Sequence, residues 1–496
     1  MATARLRIGS AQGRWVLTGT VMGSSLVMLD GSVVNVVLAP ISRDLTVGFT
    51  GLQWITNAYT LTLAALILIG GVLGDRWGRR RTFLVGTVWF TLASVLCAVS
   101  AGEGMLIAAR ALQGVGAALV TPGSLAIISA SFDRADRAKA IGAWSGLAGV
   151  STAVAPLLGG WLAGYSWRLV FLINVPLAAM IIWTGIRHVP ESRDESATGS
   201  RIDLPGAALV VLTLAFLTWG LTEAGPAGWT PAVTGAVGLA CLCGAAFVIV
   251  ERRARDPLVR LDLFTDRVFA ASNVVTLFMY GALSLYFLLV VLQLQLVTGW
   301  SPLAAGLAGL PVTILMLLLS ARFGALSERI GPRPLMSGGT VLAGCGFLLG
   351  LRIDADATYL TDVLPTAVLL GLGLSVAVAP LTAAALGAAP ENLAGIASGI
   401  NNAIARSAGL LAIAVVPVIA GLSTTATGDS AGLTAGYRTA MLIGAGLLGV
   451  AALASWFGLA GTGPRAGARQ EAGARLPVHR MNQCPVDSPA GHPHER

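Results

Sequence analysis

The sequence predicts an all-α polytopic membrane protein with fourteen transmembrane helices. Three observations carry that expectation. Of its 496 residues, 55% are hydrophobic and only 11% are charged, with a mean hydropathy of +0.78. Soluble domains hold about 25% charged residues, so a soluble globule could not hide this much apolar surface. The apolar residues also come in runs of roughly 20, the length at which a helix crosses the hydrocarbon core. Finally, the basic residues fall on alternate connections between those runs.

The runs lie near 16–38, 52–74, 83–101, 105–129, 139–163, 169–187, 204–222, 230–250, 268–296, 303–325, 335–353, 360–384, 394–420 and 438–460. The ninth is long enough to predict a tilt or a stretch of loop. The start, MATARLRIGSAQGRW, has the charge of a signal peptide, but its apolar run carries on as a full span and reads as a retained first helix. With residues 1–15 in the cytoplasm, the inside connections hold Arg5, Arg7 and Arg14, then Arg76, Arg79, Arg80 and Arg81, then Arg134, Arg137 and Lys139, and further clusters up to Arg496. Outside stand Arg43, Arg168, Arg352 and Arg438. That bias follows the positive-inside rule and places both termini in the cytoplasm. It is equally compatible with twelve spans.

The chain accordingly divides into an N-terminal six-helix bundle (16–187), a cytoplasmic linker (188–203), two extra helices (204–250), a cytoplasmic loop (251–267), a C-terminal six-helix bundle (268–460) and a tail (461–496) expected to be disordered. His479, His492 and His494 lie in that tail, where a free end is a poor metal site. The five cysteines form no disulfide framework and no paired CxxC spacing. No metal is expected. The use of arginine almost to the exclusion of lysine suggests a GC-rich bacterial genome, hence a bacterial plasma membrane.

GGVLGDRWGRRRTF, at 70–83, interrupts the apolar pattern with one acid and four arginines. The positive-inside rule accounts for the arginines but not for Gly71, Asp75 and Gly78. Glycine admits close backbone approach or positive φ, and an acid among arginines at a helix end makes charge-assisted hydrogen bonds. The stretch therefore reads as a latch formed by Gly71, Asp75, Arg76, Gly78, Arg79 and Arg80. Its partner is expected in the other bundle or in the fourth-to-fifth loop. Gly324, Glu328, Arg329, Gly331 and Arg333 repeat Gly71, Asp75, Arg76, Gly78 and Arg80 at one fixed offset, which argues for two halves of similar build. Two bundles rocking about a midplane site are the basis of alternating access.

Together with four other stretches, GGVLGDRWGRRRTFL resembles the major facilitator superfamily and, within it, the fourteen-helix drug:proton antiporters of the EmrB/QacA type. The others are LQWITNAYTL (52–61), RALQGVGAALVTP (110–122), SWRLVFLINVP (166–176) and AGIASGINNAIARSAG (394–409). The likeness covers residues 15 to 460. It implies a major facilitator fold, two six-helix bundles plus two extra central helices, and efflux of hydrophobic or cationic small molecules in exchange for protons. Two departures stand out. In LDGSVVNVVLAPI (29–41), Ala39 precedes Pro40. The family's fifth-helix antiporter motif is here STAVAPLLGG, which keeps Pro156, Gly159 and Gly160 but has Ser151 and Ala155 for two glycines.

Asp30 stands mid-span, where a carboxylate costs a few kcal/mol unless it faces a cavity or a partner. An acid that is dry in one state and wet in the other can carry a proton; a structural acid is the alternative. Arg110 stays charged and cannot itself carry the proton, but it is the obvious partner for Asp30, and the resemblance implies a part in proton transfer. Snorkelling to the interface is its bland reading. Asn35, Trp54, Asn57, Gln113, Asn401 and Arg406 are candidate cavity residues, with interhelical hydrogen bonding as the alternative. Glu223 reads as an exposed interfacial acid. No GxxxxGK[ST] loop is present, so the energy source is an ion gradient and no cofactor is expected. No cluster of His, Cys or carboxylates suggests an enzyme. Expected partners are the substrate, protons and the bilayer, with no nucleic acid, and the protein is expected to be a monomer. Export of a single self-made metabolite or lipid, or proton-linked import, remain open at this point.

Overall fold

The computed structural model describes residues 6–193, 203–254, 257–390, 393–426 and 428–461. The expected disorder of the tail therefore falls outside the described residues from 462 onward. We number the helices α1 (Ala11–Leu45), α2 (Phe49–Trp77), α3 (Arg79–Ala98), α4 (Glu103–Ser131), α5 (Arg134–Ala163), α6 (Trp167–His188), α7 (Leu204–Ala227), α8 (Pro231–Arg253), α9 (Arg267–Leu296), α10 (Pro302–Ile330), α11 (Pro332–Gly350), α12 (Tyr359–Gly387), α13 (Ala394–Ile419) and α14 (Ser430–Gly458). Short breaks mark α6 at Ile173 and α10 at Gly309. The ninth run, expected to tilt or unravel, is one continuous helix capped by Asp266, whose carboxylate accepts from the Val268 and Phe269 amides.

Among the described residues, twelve helices are long and apolar enough to cross a membrane, rather than the fourteen expected. The two that fall short are α5 and α11. In α5, Val154–Ala163 stands as a shorter apolar stretch among the described residues. The 19-residue α11 begins Pro-Arg-Pro and holds five glycines besides Ser337 and Thr340.

Helices α1–α6 pack on one another, as do α9–α14, while α7 and α8 form a hairpin beside them. Helix α7 lies over the seam between α2 and α13: Leu214 packs with Ala64 and Ala65 of α2 and Leu410 of α13. The two sets are joined by hydrogen bonds only at the face opposite the N-terminus, among the described residues. There Gln295 donates to the Val36 carbonyl (2.8 Å), Arg43 to the Gln295 carbonyl (3.3 Å), Gln53 to the Ile413 carbonyl (2.7 Å) and Thr50 to the Ser423 carbonyl (3.4 Å). Backbones also touch at this face: a Cβ on Gly160 would lie 2.5 Å from the Leu303 Cα, and one on Gly306 would lie 2.7 Å from the Pro156 carbonyl oxygen. A continuous apolar cluster runs from Val33 and Val37 through Ala155 to Leu285, Leu289 and Ala305 on this side. Towards the other face, the cluster built on Val16, Ile67, Ile127 and Ile181 has its buried members confined to α1–α6 and adjoining residues. The molecule is thus closed at the face opposite its N-terminus.

Candidate functional site

Asp30 and Arg110 meet inside α1–α6. Each is only 1% exposed, and Arg110 Nη1 donates to Asp30 Oδ2 at 2.6 Å. The snorkelling alternative for Arg110 is thereby excluded. Residues of α2, α3, α4 and α6 contribute to holding the pair. Arg110 Nη1 also reaches Gln113 Oε1 (2.6 Å), its Nε donates to the Ile55 carbonyl of α2 (3.2 Å), and its guanidinium lies 4.2 Å from the Tyr59 ring centroid. Asp30 Oδ1 accepts from Gln113 Nε2 (2.8 Å) and from Asn174 Nδ2 of α6 (3.0 Å). Both amides donate as well to Ser94 Oγ of α3, at 2.7 and 2.9 Å. A buried ion pair persists only when its remaining lone pairs and protons are satisfied in this way. Asn174 and Ser94 carry no charge, and nothing in the sequence singled them out except that Asn174 sits inside the quoted SWRLVFLINVP stretch. Gln113, expected in a substrate cavity, is instead committed to this network.

The arginine-rich turn is held differently from the expectation. Gly78 adopts φ 115°, which favours glycine, and the turn folds back so that Arg79 Nε and Nη2 grip Asp75 Oδ1 at 2.9 and 2.8 Å. One external partner of the turn stands among the described residues. It is the segment leaving α6: Glu191 Oε1 accepts the Arg80 amide (3.1 Å), the Val189 carbonyl accepts from Arg80 Nη1 (3.1 Å), and the Ser192 carbonyl accepts the Arg79 amide (3.0 Å). Glu191 was invisible as a partner because it lies in a linker without periodicity. Gly71 approaches only Pro122, and Arg76, Trp77, Arg81 and Arg193 line a pocket of about 400 Å³ at this face. In the repeat, Gly331 again takes positive φ (87°), and Arg333 Nε donates to the Trp456 carbonyl (2.7 Å). Glu328 and Arg329 are exposed, and among the described residues neither forms an ion pair.

The cavity candidates separate. The Trp54 indole N–H donates to Glu223 Oε1 of α7 (3.1 Å), so Trp54 anchors the hairpin and Glu223 is not a free interfacial acid. Asn401 Nδ2 donates to Asn273 (3.1 Å) and Thr276 (2.9 Å) of α9, an interhelical bond rather than a cavity wall. Asn57 is fully buried with both amide atoms unpaired, and Asn35 Oδ1 is likewise unpaired. Arg406 is half-buried and has no acidic partner among the described residues. In the fifth-helix motif, Pro156 and Gly160 make the backbone contacts with α10 described above, while a Cβ on Gly159 would meet Val33 of α1 at 2.9 Å. No group of three or more metal-ligating side chains occurs among the described residues.

The sequence profile of the Major Facilitator Superfamily matches residues 20–413. The multidrug resistance protein Stp of Mycobacterium tuberculosis (strain ATCC 25618 / H37Rv) is 36% identical over 400 residues, covering 78% of this chain and 72% of its own length. The puromycin resistance protein pur8 of Streptomyces alboniger is 36% identical over 403 residues, 80% of each chain. The tetracenomycin C resistance and export protein of Streptomyces glaucescens is 33% identical over 397 residues, 80% of this chain and 73% of that one. Among solved structures, a bacterial homolog of the human lysosomal transporter Spinster matches with a TM-score of 0.64 at 17% identity. That match covers 93% of this chain and 98% of the other, a likeness of fold alone.

Proposed function

This chain belongs to the Major Facilitator Superfamily, and from that premise we propose that it is a proton-coupled exporter of antibiotics or other toxic small molecules, working by alternating access. Resistance and export relatives at about a third identity support the export reading. The observation that carries proton coupling is the Asp30–Arg110 pair at 2.6 Å with its amide collar. Asp30 is the proton carrier. When it is protonated, Arg110 loses its counter-charge but keeps the Gln113 and Ile55 oxygens, so the cation stays seated while α1 is released from it. Helix α1 also carries, within two turns of Asp30, the Val36 carbonyl that Gln295 clasps across the halves. A proton on Asp30 thereby acts on the contact that closes one face. Each proton moving through about 100 mV of membrane potential supplies about 2.3 kcal/mol.

We further assign all fourteen helices to the membrane, since α5 and α11 pack within their bundles between neighbours that qualify as spans. Both termini then lie in the cytoplasm, the closed face is extracellular, and the conformation is inward-facing. The division into two six-helix bundles and a central hairpin follows the packing of α1–α6, α7–α8 and α9–α14. The turn at Gly78 and its repeat at Gly331 are cytoplasmic hinge elements, the first stapled to the linker by Glu191.

The test is proton release from acid-loaded everted vesicles as substrates are added. Release should be triggered by substrate and abolished by Asp30→Asn. Release that persists in the variant would remove Asp30 from the coupling path.

A further inference from the structure

Among the described residues, Arg406 is a cation in the membrane interior without a counter-charge. Asp30 and Arg110 cancel each other. Arg406 occupies the middle of α13, and no ion pair compensates it among the described residues. The second half offers it no partner in its own helices: α9, α11, α13 and α14 contain no acidic residue, and Glu328 of α10 and Asp362 of α12 sit at helix ends. Glu223 of α7 is engaged by Trp54 closer to the extracellular face. An uncompensated charge at membrane depth is costly and marks a functional site.

Arg406 has polar neighbours at the junction of the halves. Tyr280 of α9 lies at the level of Arg406, in a register set by the approach of Gly281 to the Ala408 carbonyl. Helices α2 and α13 run antiparallel, in a register fixed by Gln53 against Ile413 at one end and Leu68 against Gly399 at the other. That register sets Asn57 about one helical turn from Arg406. Asn57 is fully buried with its amide nitrogen and oxygen both unpaired. A buried polar side chain without partners carries a desolvation cost that a bound ligand relieves.

Resting on the export reading above, we propose that the substrate is an aromatic molecule bearing a carboxylate or phenolate. Arg406 binds the anionic oxygen, Asn57 adds a hydrogen bond and the Tyr280 ring flanks the aromatic body. The cleft thus selects against lipophilic cations, which Arg406 repels. This narrows the substrate class expected from the sequence, hydrophobic or cationic molecules, to its acidic counterpart.

The experiment measures energised uptake into everted vesicles carrying the full chain, using fluorescein as the anion, rhodamine 123 as the cation and 7-methoxycoumarin as the neutral probe. Wild type is expected to concentrate fluorescein, Arg406→Gln to lose at least about tenfold of that rate, and Arg406→Lys to retain most of it. Should the glutamine variant fail to insert, Asn57→Leu carries the same test, with fluorescein uptake again expected to fall. Uptake of rhodamine 123 or the coumarin with none of fluorescein would leave export standing and overturn the anion assignment. So would fluorescein uptake unchanged in Arg406→Gln. Uptake dependent on chloride but indifferent to Arg406 would identify an inorganic counter-ion only and overturn it too. If wild type moves none of the three and confers no resistance on cells, the export reading falls and takes this inference with it.

Discussion

The two halves of the molecule share one plan and spend their charges in opposite ways. In the first half, the intramembrane charges are paired and collared: Asp30, Arg110, Gln113, Asn174 and Ser94 satisfy one another from four helices. Its arginine-rich turn is stapled as well, through Glu191. In the second half, Arg406 is the mid-helix charge among the described residues, and the repeated turn leaves Glu328 and Arg329 exposed. The first half keeps its charge for itself and suits coupling. The second holds a charge open for something that arrives.

The largest expected break in that contrast comes from making the same change in both halves. Arg110→Gln strands Asp30 as a buried, unpaired carboxylate and should cost about 3–5 kcal/mol. In detergent, this would appear as a large fall in melting temperature, recovered in part by adding Asp30→Asn. Arg406→Gln removes a charge with no counter-ion and should leave the melting temperature unchanged or raise it. A comparable loss in both variants would erase the distinction. The turns give a smaller version of the test. Glu191→Gln weakens the contacts to Arg80 and Arg81 and should destabilise the linker by about 1 kcal/mol, read as faster amide exchange at 189–192. Glu328→Gln should change nothing measurable at the equivalent turn. An effect of the same size, about 1 kcal/mol, is expected from Trp54→Phe, which removes only the hydrogen bond to Glu223. Faster exchange in α7 than in α13 would check it.

The helices were legible because lipid demands long apolar runs, and α9 showed that length alone does not imply a break. The span count was harder to read: Pro332, Arg333 and Pro334 at the start of α11 dilute the hydropathy of a helix that packs like its neighbours. Asp30, Arg110 and Arg406 stood out because charge is rare at that depth. Asn174 and Ser94 did not, since small polar residues are common in such helices and only packing tells a ligand of Asp30 from a bystander. Trp54, Gln113 and Asn401 looked like cavity residues for the same reason, and each proved to be bonded to protein. Partners across long sequence separations, such as Glu191 for Arg80, leave no periodic trace.

The hairpin α7–α8 has a consequence in the plane of the bilayer. Two seams divide the halves. One is boarded over by α7, pinned through Glu223 and packed by Leu214. The other, between α5 and α10, is held by the Gly160–Leu303 approach near one face and exposes Leu147, Val150, Ile314 and Leu317 further along. A lipid-dissolved molecule drifting sideways therefore meets one flank covered by the hairpin and one bare of it.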